Sequence, residues 1–357
     1  MNKLFDQYQL KGLNLKNRLV MAPMTRSRAT ENGVPGELTP KYYSQRASMG
    51  LLISEGVFPS PEGQGYINTP GISTKEQVDG WKKVIDAVHD ANGRIFLQLM
   101  HVGRISHPDN LPTHYQAVAH SAIAPGEDIF TATGMQEVPE PRELTEIEIM
   151  ETINAFRKAA LNAIEAGADG VEIHGANGYL IHQFLGENSN ARSDEFGGAI
   201  KKRARFAIEV AKAVVDEIGA DKTGFRISPM NLLCGVNEGQ QGEELYRYLV
   251  GELNKLNLAY LHIMHVDREH LLKDIRGIWE NTLIVNRPSR PVDQISLDID
   301  NGLADLSSVG VLALANPDLV EKLKKNMPLN DPNPQTFYIN KGEEGYTDYP
   351  TMNEIMK

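Results

Sequence analysis

The chain has 357 residues, 41% hydrophobic and 23% charged, which suits one large α/β barrel or two domains with a full core. Its 47 acidic and 36 basic side chains leave a net charge of −11, which argues against a nucleic-acid partner or an anionic membrane surface, since either calls for a clustered basic face. The single cysteine, Cys234, excludes an intrachain disulfide, a cysteine-only metal site and an iron–sulfur cluster, and with no apolar signal core and no run long enough for a membrane span the expectation is a soluble, cytoplasmic protein.

Short runs rich in Val, Ile and Leu recur along the chain, with amphipathic stretches between them. Strands are predicted over Arg18–Ala22 and Leu51–Val57, then a helix over Lys75–Ala91 and a third strand over Ile95–Leu99. A connection of about forty residues follows, from His101 to Leu144; an ordered connection of that length is more often a lid or a pocket wall than disorder. The helix predicted over Thr145–Ala166 opens with the capping-box spacing Thr145-Glu146-Ile147-Glu148. The fourth strand, Gly170–His174, precedes a helix over Lys201–Ile218, which Gly219 stops. Strands over Gly224–Ser228, Ala259–Met264, Leu283–Asn286 and Leu306–Val311 alternate with helices over Glu243–Leu256, His270–Glu280, Val292–Gly302 and Pro317–Lys325.

Eight strands alternating with helices predict a TIM (β/α)₈ barrel, one domain over residues 1–357 with a long insertion after strand 3. An open dinucleotide-binding sheet is disfavoured: Gly63-x-Gly65 lacks the third glycine of the usual fingerprint.

Barrel active sites lie at the C-terminal ends of the strands. The fourth strand ends there in His174, Asn177 and Tyr179. A neutral imidazole and a carboxamide can donate two hydrogen bonds to one oxygen, and a phenol nearby can deliver a proton. Thr25, Gln98 and Arg226, at the ends of other strands, offer a hydroxyl, an amide and a cation to a planar, heteroatom-rich ligand. His262, His265 and His270 invite a metal reading, but no carboxylate or second cluster joins them at a ligand spacing, so a strand-end histidine before a helix is preferred.

Nearly end to end, the chain resembles the old yellow enzyme family of flavin-dependent ene-reductases. The resemblance rests on Met21-Ala22-Pro23-Met24-Thr25-Arg26, Tyr42-Tyr43-Ser44-Gln45-Arg46-Ala47, His174-Gly175-Ala176-Asn177-Gly178-Tyr179-Leu180, the Asn190–Gly198 run, Ala315-Asn316-Pro317-Asp318 and Gly345-Tyr346-Thr347-Asp348-Tyr349-Pro350, all in order. It implies noncovalent FMN across the barrel mouth, with NADPH or NADH as reductant. By the same resemblance, Pro23 and Met24 support the isoalloxazine, Thr25 binds its O4 and marks the threonine-type branch, Gln98 faces the pyrimidine edge, and Arg226 stands near N1 and O2. His174 and Asn177 would grip the carbonyl of an electrophilic alkene, flavin N5 would deliver hydride to the β-carbon, and Tyr179 would protonate the α-carbon. Tyr66, Met100 and Tyr338 would line the substrate pocket.

The chain departs from the family pattern in three places. Met100 stands where a tryptophan is common. Val311 stands where a phosphate-binding arginine is usual, leaving the amides of Gly310 and Val311. Asn286-Arg287-Pro288-Ser289-Arg290 replaces a glycine-rich turn. The expectation is that Arg287 supplies the missing cation. A different acceptor for the same flavin (a nitro compound, a quinone or a prostaglandin endoperoxide) and a flavin-free barrel with a binding role stay open, as do monomer and homodimer.

Overall fold

The computed structural model describes residues 3–111 and 114–355. Eight parallel strands close into a barrel. We number them β1 (Leu19–Met21), β2 (Leu51–Val57), β3 (Ile95–Leu99), β4 (Gly170–His174), β5 (Thr223–Ile227), β6 (Tyr260–Met264), β7 (Thr282–Asn286) and β8 (Leu306–Val309). The ring closes where β8 pairs with β1, with Val309 opposite Met21. The sequence expectation holds for all eight strands within a residue or two at each end.

Side chains along a strand alternate between the two faces of the sheet, and here the alternation sorts the interior into layers. The lower layer is apolar: Val20, Ile53, Phe96, Tyr260, Ile284 and Leu306 pack together, and Leu10 and Leu15 of an N-terminal hairpin close it from below. Gly224 makes room for this layer, because a Cβ there would lie 2.2 Å from the Tyr260 ring. Two residues further along β3, β6 and β8 the interior turns polar, with Gln98, His262 and Ser308 buried, joined by the buried Glu172 of β4. His174 and Arg226 continue β4 and β5 upward, paired with each other in register, toward the C-terminal face.

Outer helices bury one face each against the ring, including Lys75–Asp90, Glu146–Glu165, Arg205–Ile218, Gly242–Asn254 and Glu269–Ile278. The Thr145–Glu148 capping box forms as predicted, and Gly219 ends its helix at φ 92°. Three predicted elements differ. The helix expected over Lys201–Ile218 breaks at Ala204 into Ile200–Arg203 and Arg205–Ile218. The stretch Val292–Gly302 yields only a 3₁₀ turn at Val292–Gln294 and a helix at Leu297–Asp300. The eighth strand stops at Val309; Gly310 turns the chain and Val311 starts the short helix Val311–Ala315.

The long connection after β3 is ordered on both sides of its undescribed pair of residues. It carries a hairpin, Asp128–Thr131 with Gly134–Glu137, and a two-residue strand, Val118–Ala119, that pairs with Arg142–Glu143. Among the described residues no helix is long and apolar enough to cross a membrane.

Candidate active site

The polar layer inside the barrel is a chain of hydrogen bonds. Gln98 Nε2 donates to Glu172 Oε1 at 2.8 Å, Glu172 Oε2 meets His262 Nδ1 at 2.8 Å, and His262 Nε2 meets Ser308 Oγ at 2.8 Å. Burial holds the His262 imidazole below its ordinary value despite the carboxylate beside it. A neutral ring that donates from Nδ1 and accepts the Ser308 hydroxyl at Nε2 satisfies every contact. Glu172 stays below the ordinary carboxylate value although burial opposes this, held there first by His262 and then by Arg226 and Gln98. An anion is thereby fixed beneath Arg226. Since Gln98 turns its NH₂ toward that anion, its amide oxygen is left for other partners.

Above this layer β4 delivers His174, and the following loop turns sharply. Asn177 sits at φ 58° and Gly178 at φ 81°. Gly178 also passes tightly beneath the Leu233–Cys234 segment: a Cβ on it would lie 2.5 Å from the Leu233 carbonyl oxygen. The loop is bolted from several sides. Asn177 N donates to Ser228 Oγ at 2.8 Å, Gly178 N to His182 Nδ1 at 2.8 Å, and Gln183 Nε2 to the Gly178 carbonyl at 2.8 Å. His182 is itself anchored by Glu238 at 2.9 Å, and Tyr246 donates to the same carboxylate oxygen at 2.7 Å.

The loop presents three groups. The His174 and Tyr179 rings are 5.2 Å apart, edge to face, and the Tyr179 hydroxyl lies 3.0 Å from that of Tyr66. His174 Nδ1, Asn177 Oδ1 and Arg226 Nε are buried with no hydrogen-bond partner among the described residues. A buried polar atom left unpaired costs on the order of 1–3 kcal/mol, so three of them on β4, the loop after it and neighbouring β5 call for a partner that the chain itself does not supply. Burial, reinforced by the charge of Arg226, holds His174 well below its ordinary value, so it is neutral at pH 7. Burial and Tyr66 push the Tyr179 phenol well above 10, so it keeps its proton at neutral pH.

Two neighbouring cavities open on this face. The first, of about 450 Å³, is lined by Thr25, Tyr66, Tyr179, Cys234 and Tyr338, and by Ile105, Ile129 and Phe130 of the long connection. That connection forms a pocket wall, one of the two roles its length suggested. The second, of about 610 Å³, is lined by Pro23, Met24, Asn177, Arg226, Asn286, Arg287, Arg290, Gly310 and Val311. The sequence-predicted residues therefore separate into two groups, Thr25, Tyr66, Tyr179 and Tyr338 on one cavity, and Pro23, Met24, Asn177, Arg226, Arg287, Gly310 and Val311 on the other. Gln98 and His174 lie in the layers beneath.

Two expectations need correction. Met100 lines neither cavity; it is buried behind the first, so closely against Gly56 that a Cβ there would meet its Sδ at 2.6 Å. Arg287 reaches the second cavity but is not a free cation. Its Nε and Nη2 hold both oxygens of Asp298 at 2.7 and 3.0 Å, Nη2 and Nη1 hold Glu269, and Nη1 also reaches His265 Nδ1 at 3.2 Å. All five of its donors are engaged.

Sequence reasoning missed the Glu172–His262–Ser308 chain and the hydrophobic face of the hairpin. The period-two pattern held the signal for the first: Glu172 and His174, Tyr260 and His262, and Leu306 and Ser308 share a face on their strands. Among the described residues no group of three or more His, Cys, Asp or Glu side chains is placed to hold a metal. Arg26 was legible only as part of a motif; its guanidinium ties the C-terminal segment across the barrel mouth, donating to the Phe337 carbonyl at 3.2 Å and the Gly345 carbonyl at 2.9 Å.

Comparison with known proteins agrees with this fold. Residues 3–330 match the model of the NADH:flavin oxidoreductase / NADH oxidase family. The chain is 43% identical over 350 residues to a probable flavin mononucleotide-dependent alkene reductase of Leishmania infantum, covering 96% of this chain and 95% of the relative. It is 40% identical to 12-oxophytodienoate reductase 7 of Oryza sativa subsp. japonica, over 98% of this chain and 95% of that one. Among solved structures, morphinone reductase in complex with tetrahydroNAD superposes with a TM-score of 0.94 at 40% identity, over 99% of both chains. The old yellow enzyme homologue from Zymomonas mobilis gives 0.93 at 36% identity, over 98% of this chain and 99% of that one.

Proposed function

The chain belongs to the NADH:flavin oxidoreductase / NADH oxidase family, and from that premise we propose that it is an FMN-dependent ene-reductase of the old yellow enzyme type, acting on α,β-unsaturated carbonyl compounds as one flavin-binding unit. The residues present fit the cofactor. Arg226 offers a buried cation with an unpaired Nε to the second cavity, Gln98 has an amide oxygen left over, and Pro23, Met24 and Thr25 run along the rim between the two cavities. When bound, FMN supplies the two-electron chemistry, taken from NADH or NADPH and passed to the alkene.

The chain's own residues do the rest. His174 and Asn177 hold the substrate carbonyl oxygen and draw electron density from the β-carbon; a neutral imidazole serves here as donor with no pH-dependent charge. Tyr179 gives its proton to the α-carbon, and Tyr66, 3.0 Å away, orients the phenol and can relay its replacement. The walls formed by Ile105, Ile129 and Phe130 keep bulk water from the exchange. Thr25, on the lining of the first cavity, supports assigning the chain to the threonine-type branch.

One observation carries this reading: His174, its Nδ1 buried without a partner, packs 5.2 Å from the Tyr179 ring, whose hydroxyl pairs with that of Tyr66, and Asn177, whose amide NH₂ is a donor, lies on the same loop. The test is the visible spectrum of purified protein before and after anaerobic NADPH or NADH, followed by turnover with a simple cyclic enone. Flavin absorbance that bleaches with reductant and recovers with enone is expected. Recovery with quinones or nitro compounds but not enones would reassign the acceptor, and a colourless protein that FMN cannot reconstitute would leave a flavin-free barrel.

A further inference from the structure

The second cavity is lined by Arg226 of β5 and, from the segments after β7 and β8, by Arg290, Gly310 and Val311. A flavin mononucleotide held there, as the proposed function requires, would bring a dianionic phosphate in need of a cation, and Val311 offers no charge. The segment that replaces the usual glycines there is a defined turn. Arg290 N donates to the Arg287 carbonyl at 3.3 Å, Pro288 occupies the first corner, and Ser289 the second, at φ 61°. Proline at the first corner and a left-handed residue at the second make a type II turn. Its two ends carry the two arginines, and both hold Asp298: Arg287 as described, Arg290 through Nη1 at 2.8 Å. The two differ in what remains. Arg287 has no donor left. Arg290 has one guanidinium nitrogen on Asp298, while its Nε and Nη2 have no partner among the described residues.

We infer that Arg290, held in place by the Arg287–Asp298 pair, is the cation that receives the FMN phosphate, and that Arg287 is its positioning residue. Glu269 and Asp298 offset the two arginine charges: Glu269 and Asp298 Oδ1 are held by Arg287, and Asp298 Oδ2 is shared by Arg287 and Arg290. Of the turn's two arginines, both of which line the second cavity, only Arg290 keeps N–H groups without a partner among the described residues. The inference rests on the flavin reading.

The test is fluorescence titration of the flavin-stripped, full-length protein with FMN and with riboflavin, which lacks only the phosphate. Wild type should prefer FMN. Arg290→Ala should weaken FMN binding roughly 10- to 100-fold, the worth of a charge-assisted hydrogen bond, and leave riboflavin within about twofold, so the preference collapses. Arg290→Lys should restore part of it. Should Arg290→Ala fold poorly, Arg290→Gln keeps the length and polarity and should show the same selective loss. Equal loss of both ligands would make Arg290 merely structural. A preference retained in Arg290→Ala but abolished in Arg287→Ala would return the phosphate to Arg287. Equal wild-type affinity for both ligands would overturn the inference and leave the flavin reading standing; a wild type that binds neither would overturn both.

Discussion

Tyr179 shows how burial selects a chemical role. A phenol in water loses its proton near pH 10, and burial beside Tyr66 raises that threshold further. The folded value lies above the unfolded one, so the proton is retained throughout the neutral range and is lost only as pH rises past the folded value. The rate of enone reduction should therefore show no loss attributable to Tyr179 between about pH 6 and pH 9. Tyr179→Phe removes the donor without disturbing the ring packing against His174. In stopped-flow traces it should slow enone reduction by about 10²–10⁴-fold, the range typical of a lost general acid, and leave cofactor reduction by NADPH or NADH nearly unchanged. Equal slowing of the two half-reactions would deny Tyr179 the proton-donor role. At this scale the sequence was legible wherever a residue's placement follows from its neighbours in the chain, as for the loop from His174 to Tyr179. It was not legible for Arg287: Glu269 lies 18 positions before it and Asp298 11 after, on separate elements that only the closed ring brings together.

Among the elements, the helix Glu146–Glu165 carries the most local information. Thr145 Oγ1 accepts from Glu148 N at 3.2 Å, and Thr145 N donates in turn to Glu148 Oε2 at 2.8 Å, while the same carboxylate pairs with Arg142. Thr145→Ala should cost about 1 kcal/mol by urea unfolding, the usual worth of an N-cap. Arg142 and the Thr145 amide hold the Glu148 carboxyl down at about 2. A depressed carboxylate contributes its stability above the unfolded value, near 4.5, and loses it as pH falls toward the folded one. The melting temperature of wild type should thus fall more between pH 5 and pH 2 than that of Glu148→Gln. Strand positions were readable because buried parallel strands are continuous apolar runs. The stretch Val292–Gly302 misled because its apolar spacing is helical while Asn301 and Gly302 close it after a single turn.

On the scale of the whole molecule, the ring of strands was expected from eight alternations, whereas the split of its mouth into two cavities was not, since it depends on a hairpin borrowed from one connection and a tail tied down by Arg26. A ligand that bridges strand ends around the ring should stabilise the folded state as a whole, by about 2.7 kcal/mol at a hundredfold excess over its dissociation constant. Calorimetry should accordingly show a melting temperature that climbs with added FMN; a midpoint indifferent to FMN would contradict the proposed occupancy. The wall of the first cavity has one more consequence. A catalyst for soft electrophiles courts self-poisoning, because activated alkenes alkylate thiols, and the sole sulfhydryl here, Cys234, lines that wall. Burial pushes it up to about 11, so at pH 7 only about one molecule in 10⁴ carries the reactive thiolate. Brief iodoacetamide treatment at neutral pH should leave Cys234 unlabelled by mass spectrometry, and the protein should outlast many exposures to a reagent that inactivates ordinary thiol enzymes.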